Sequence, residues 1–281
     1  MGFIGKYYDQ TREGKGVSKG EVRDKGVFNF FDVYTTNFWK FTVLGLIYIL
    51  FCIPVITMPA ATAAFTYVQR NIIRKKGVFI WSDFVDTFTK YFWKALPIGI
   101  IDVLAIALSM IAMWWYGVAG GIIKYQGHLN PPSVFYMIGF GVAVAFFGIY
   151  NLMRYYSYMQ LVSFEFNYKQ IYKNAFYLAC LGFFRNLFVT ILCVLILLIL
   201  WSIATMGNTI GFGLAIVLIP LVVVSLRGYI INYNSFAVIY KYIVEPYERE
   251  EAEKKAEAGE TEETVESIFK DMGKNPERKR R

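Results

Sequence analysis

Cys52-Ile53-Pro54-Val55-Ile56-Thr57-Met58-Pro59-Ala60-Ala61-Thr62-Ala63-Ala64 sits in the middle of a run from Phe41 to Gln69 that carries no charged residue. How that run crosses a membrane decides on which side the N-terminus, and therefore every later loop, lies. Pro lacks a backbone donor and clashes with the preceding turn, so Pro54 and Pro59 are expected to break the run into two helices. Thr57 and Thr62 can offer hydroxyls to the carbonyls that the break leaves unpaired, and Pro59 suits the first position of a new helix. Ala60, Ala61, Ala63 and Ala64 let a neighbouring helix approach closely. The plainer reading of this stretch is a tight hairpin packed at the centre of a bundle. A helix broken at membrane depth is also how many transporters build a binding site.

The rest of the composition agrees with a membrane protein. Of 281 residues 56% are hydrophobic, 19% aromatic and only 18% charged, with mean hydropathy +0.41, too apolar for a soluble domain of this length. Asn186 to Leu226 is uncharged over 41 positions, roughly twice what one crossing of a ~30 Å hydrocarbon layer needs. It is expected to turn once, between Met206-Gly207-Asn208 and Gly211-Phe212-Gly213.

An internal repeat organises the remainder. A shift of 54 positions superposes Phe30, Asp32, Thr35, Phe38, Trp39, Lys40, Gly45, Ile47 and Leu50 on identical residues from Phe84 to Leu104. A weaker third copy begins near Tyr168, with Phe183-Phe184-Arg185 in place of Phe-Trp-Lys, and Arg154 and Tyr156 correspond to Arg227 and Tyr229. The expected fold is all-α: about six transmembrane helices as three helical hairpins, at about 27–76, 77–160 and 165–244, each led by an amphipathic helix lying in the interface. Five spans are the alternative. Residues 1–26 read as a polar cytoplasmic arm and 245–281 as a charged, partly disordered cytoplasmic tail.

Lys and Arg test this topology, because cytoplasmic loops collect them. With six spans, 28 of the 29 fall on the inner side, and only Lys124 lies in an outer loop. A single crossing by Phe41–Gln69 would put the seven N-terminal cations outside, and the start has no apolar region or cleavage site of a signal peptide. Both termini are therefore expected in the cytoplasm.

Little here points to chemistry. Cys52, Cys180 and Cys193 lie in apolar surroundings and read as small buried residues, and the lone His128 removes imidazole clusters. No phosphate loop, nucleophile elbow or paired catalytic carboxylates occur, so no catalytic, cofactor-binding or metal residue is assigned and no nucleic-acid partner is expected. Asp102 is the carboxylate well inside a span, with Arg154 and Arg227 as its candidate partners. Pro54, Thr57, Pro59, Thr62, Asp102, Arg154 and Arg227 are the candidate functional or packing residues. The Tyr and Trp clusters at Trp114-Trp115-Tyr116, Tyr155-Tyr156-Ser157-Tyr158, Tyr229 and Tyr233 read as interfacial belts. Glu165 reads as a solvated interface residue.

Several stretches resemble the YesL family of bacterial membrane proteins, domain of unknown function 624 (DUF624): Met1-Gly2-Phe3-Ile4-Gly5-Lys6-Tyr7-Tyr8, Asn37-Phe38-Trp39-Lys40, Pro54 to Ala64, and Trp81-Ser82-Asp83-Phe84. The resemblance covers roughly residues 1–245. It implies a multi-pass plasma-membrane protein of Gram-positive bacteria, often encoded beside carbohydrate ABC transporters and sensor kinases, and it brings no catalytic residue. The expected function is non-enzymatic, accessory to a carbohydrate-uptake or sensing system, with the lipid bilayer and a permease or sensor kinase as partners. The alternative is a small-solute or lipid transporter with a site near Pro54, Pro59 and Asp102.

Overall fold

A computed structural model describes residues 27–125, 131, 133–205, 213, 218–246, 249–250 and 253. The N-terminal arm, His128, most of the turn around Gly207–Gly211 and the basic end of the tail lie outside the described residues. The chain divides into two compact units, Met1–Thr36 and Asn37–Arg281. In the first, α1 (Val27–Thr36) is one short amphipathic helix. The Thr35 hydroxyl donates back to the Phe31 carbonyl at 2.9 Å.

Every described element of the second unit is helical. The helices are α2 (Phe38–Cys52), α3 (Met58–Ile73), α4 (Ile80–Ala119), α5 (Val134–Ser163), α6 (Tyr168–Leu181), α7 (Phe183–Ala204) and α8 (Ser225–Ile239). A π-helical segment, Ile219–Val224, runs into α8, and another, Tyr240–Val244, follows it. Among the described residues α4, α5 and α7 are long and apolar enough to cross a membrane. Only 22%, 11% and 11% of their most apolar stretches are buried within the chain. That much apolar surface turned outward suits lipid and would not suit water.

The proline break lies where the residues put it. Pro54 is extended (φ −76°, ψ 117°), a 3₁₀ turn spans Val55–Thr57, and α3 starts at Met58 with Pro59 in its first turn. The Thr57 hydroxyl lies 2.5 Å from the Phe51 carbonyl and 2.6 Å from that of Pro54, so it serves the backbone acceptors that the break strands. Thr62 donates to Met58 at 2.8 Å and meets the Tyr48 hydroxyl at 3.2 Å, which ties α2 to α3. Ile53 to Ile56 are exposed, so the break itself faces outward.

From Ala60 on, α3 is the centre of the bundle, touching α2, α4, α5 and α8. Ala60, Ala61, Ala63 and Ala64 are fully buried, and Ala60 and Ala63 pack with Ala95 and Ile98 of α4, Tyr158, Leu161 and Val162 of α5 and Ile171 of α6. α3 and α4 approach closely at Gly99, where a Cβ would stand 2.0 Å from Pro59 Cγ. Beyond this apolar layer, Asn232 donates to Gln69 at 2.7 Å, and Ser225 donates to the Phe41 carbonyl at 2.8 Å. Arg70 reaches from the end of α3 to the Val162 carbonyl and the Ser163 hydroxyl, both at 2.8 Å, and serves the open end of α5. The last turn of α3 closes as a Schellman motif, with Lys75 left-handed (φ 55°) and Lys76 N–H donating to the Asn71 carbonyl at 3.0 Å.

Several boundaries differ from the expectation. The second leader, 79–94, is no separate interfacial helix: it is the first part of the 40-residue α4, which at about 1.5 Å per residue is roughly 60 Å long and runs through Pro97. The residue preceding each aromatic-aromatic-cation triplet decides this. Asn37 and Gly182 interrupt the helix before Phe38 and Phe183, whereas Tyr91 lets it continue into Phe92. α5 and α8 run on past Arg154 and Arg227 to Ser163 and Ile239. Cys193 is buried, but Cys52 is half-buried and Cys180 exposed, and none of the three is in a disulfide.

Candidate functional site

The polar centre of the bundle is built on Asp102, which stands 4% exposed inside α4. Tyr150, Arg154 and Tyr158 occur at i, i+4 and i+8 on α5, a spacing that stacks them on one helical face. All three turn to the carboxylate. Tyr150 donates to Oδ1 at 2.7 Å and Tyr158 to Oδ2 at 3.2 Å, while Arg154 Nε stands 3.3 Å from Oδ2 as an ion pair short of hydrogen-bond alignment. From α6 the Tyr172 hydroxyl comes beside that of Tyr150 without a hydrogen bond. Burial, with the Asp102 carboxylate adding to it, pushes this hydroxyl up to about 12, so it stays protonated at any physiological pH. The cluster thus joins α4 and α5 through one carboxylate whose two oxygens are both engaged.

Asp102 and Arg154 are brought together as the sequence suggested, and Arg227 is not. Its side chain is exposed and lies beside the Cys193 thiol. Pro54 is exposed, Thr57, Pro59 and Thr62 are half-buried, and their polar atoms serve the backbone of the break. Glu165 is exposed, as expected. Trp114 and Trp115 are exposed near the end of α4 and suit a belt. Tyr156, Tyr158 and Tyr229 do not, because all three are buried. Tyr156 donates to Asn186 at 2.6 Å, and Tyr229 packs on Phe41 with ring centroids 4.8 Å apart. The tyrosines around Asp102 were the functional side chains the belt reading missed. Their i, i+4, i+8 spacing with Arg154 was the available signal.

A second polar hub is built on Tyr156, two positions past Arg154 on α5. Asn186 of α7 accepts from Tyr156 and from Asn234 of α8, at 2.6 and 2.8 Å, and donates to the Ala179 carbonyl at 3.3 Å. No group of three or more metal-ligating side chains occurs among the described residues.

Residues 46–113 match DUF624. The family is described as a protein of unknown function, and it is the one the sequence resembles. The DUF624 match takes in Pro54, Pro59, Gly99 and Asp102 and stops before Arg154 and the tyrosines of α5. It therefore holds the α2–α3 break, the tight Gly99–Pro59 contact of α4 with α3, and the carboxylate, but none of the carboxylate's partners. No curated protein and no solved structure matches the chain.

Proposed function

We propose that this is a non-enzymatic integral membrane protein that acts by assembling with other membrane proteins. The single observation that supports this reading is the closure of the Asp102 cluster. A carboxylate kept for a solute or for proton transfer needs an open coordination position, whereas both oxygens here are taken by residues of the same chain. The polar interior ties helices together, and the large apolar faces of α4, α5 and α7 are what the chain offers to its surroundings. Six crossings in three hairpins with both termini in the cytoplasm remain the favoured topology, supported by the distribution of Lys and Arg. The bacterial plasma membrane, and a carbohydrate permease or sensor kinase as the partner, are supported by the resemblance to YesL proteins.

Affinity purification of the full-length chain from native membranes, with quantitative mass spectrometry, tests the reading. A permease subunit or sensor kinase enriched in fixed ratio to the chain is the expected result, and Asp102→Asn leaves that ratio unchanged. Solute uptake by vesicles holding only the purified chain, abolished by Asp102→Asn, would overturn assembly in favour of transport.

A further inference from the structure

Where α6 gives way to α7, a cleft of about 200 Å³ opens beside the π-helical segment that follows α8. Arg185 and Lys241 line it together with Tyr242, Gly182, Phe184 and Leu181. Neither cation has a carboxylate partner among the described residues. The nearest acid in sequence, Glu245, is taken by Arg249 at 2.8 Å, and Lys241 only leans over the Tyr242 ring at 5.3 Å. Both side chains are exposed, and two like charges facing one cleft without a counter-ion attract an anion to it.

The surroundings say what kind of anion. Arg185 stands in the first turn of α7, whose 22 residues make about 33 Å, close to the thickness of the hydrocarbon layer, so its guanidinium sits at headgroup level. The rim of the same cleft is apolar and bare: Phe184 is 85% and Leu181 57% exposed. A free phosphate uses no such rim, whereas a phospholipid needs cations for its phosphate and an apolar flank for its acyl chains. The floor is rigid, because a Cβ on Gly182 would already meet the Tyr156 hydroxyl at 3.0 Å and Asn186 Nδ2 at 3.2 Å. The Tyr156–Asn186–Asn234 hub thus holds the α6–α7 junction against α8 and keeps Arg185 and Lys241 on one cleft.

We propose that this cleft binds the phosphate headgroup of an anionic phospholipid, with Arg185 and Lys241 as its ligands and Phe184 and Leu181 against the acyl chains. Basic pockets between helices at a membrane surface are suited to this. The inference rests on the membrane placement above and is independent of any protein partner.

The test equilibrates the purified full-length chain with mixed micelles of phosphatidylglycerol and phosphatidylcholine of equal acyl chains and reads the retained lipid by native mass spectrometry. Phosphatidylglycerol is expected to be retained preferentially. Arg185→Gln or Lys241→Gln lowers that preference about fivefold, and the pair lowers it about thirtyfold, following the usual contribution of one basic residue at an anionic surface. Lys90→Gln, an exposed cation on α4, leaves it unchanged, and the charge-keeping pair Arg185→Lys with Lys241→Arg preserves most of it. Thermal melting checks that each variant is folded, and if the double variant is not, the single variants decide. Equal retention of both lipids by the unmodified chain overturns the proposal, as does an equal loss in Lys90→Gln. Displacement of the lipid by inorganic phosphate alone at matching concentration also overturns it, since the site would then read a free anion.

Discussion

Arg154 reaches Asp102 from one side only: its Nε stands 3.3 Å from Oδ2, and its side chain is 37% exposed while that of Asp102 is 5% exposed. The two ends of this ion pair are therefore unequal. Without the carboxylate, the guanidinium can turn toward water or headgroups on its long stem. Without the guanidinium, the carboxylate is left buried with two tyrosine donors and no counter-charge.

The two single substitutions should differ accordingly. Arg154→Gln is expected to cost about 3 kcal/mol, the scale of an uncompensated buried charge, and Asp102→Asn about 1–2 kcal/mol. The double variant should be more stable than Arg154→Gln alone. Equilibrium unfolding in mixed detergent micelles measures all three, and equal costs for the two single variants would refute the asymmetry.

Gly99 of α4 packs tightly against Pro59 of α3. Gly99→Ala places a methyl 2.0 Å from Pro59 Cγ and 2.7 Å from Pro59 Cβ, and Pro59 is held in the first turn of α3. Overpacking of this kind costs about 1–3 kcal/mol. Because Pro59→Ala removes the nearer atom and leaves the other, it should restore part of the loss in a Gly99→Ala background. A melting temperature for the double variant no higher than for Gly99→Ala would show that the strain lies elsewhere.

How much of this was legible depended on whether one residue or a relation between residues carried the information. Pro54 and Pro59 announce a break by their own chemistry, and Asp102 announces itself by its cost at membrane depth. The leader expected ahead of the second hairpin runs on into α4 although the triplets Phe38-Trp39-Lys40 and Phe92-Trp93-Lys94 are identical, because the residue before them, Asn37 or Tyr91, decides whether the helix stops. Arg154 is spent on a carboxylate inside the bundle, and α5 continues past it to Ser163. Tyr158 and Tyr156 differ in sequence position by two and in partner entirely, Asp102 for one and Asn186 for the other, a distinction that composition alone does not contain.

Lys75 occupies the left-handed position after α3, at φ 55°, where a side chain bearing Cβ costs about 1 kcal/mol or more. Gly is the usual residue there, and here Gly77 comes two positions later. Lys75→Gly is expected to stabilise the protein by about 0.5–1 kcal/mol, while the β-branched Lys75→Val destabilises it. A lower melting temperature for Lys75→Gly would mean that the ammonium contributes more than the backbone strain it brings.

Gln160 is the most exposed to challenge by experiment of all the buried side chains. It is fully buried on α5, and neither its Nε2 nor its Oε1 has a hydrogen-bond partner among the described residues. A buried amide left without partners costs about 1–3 kcal/mol relative to a satisfied one. Leu is close to it in volume and brings no polar atom into its buried site. Gln160→Leu should therefore raise stability by about 1–2 kcal/mol, and Gln160→Glu should lower it by more than that, since it offers a charge to a site that does not satisfy an amide. Melting of the two variants in the same detergent separates the cases. If Gln160→Leu is destabilised instead, the amide has a polar partner in the folded protein, and the layer between α5 and its neighbours is wetter than its apolar residues suggest.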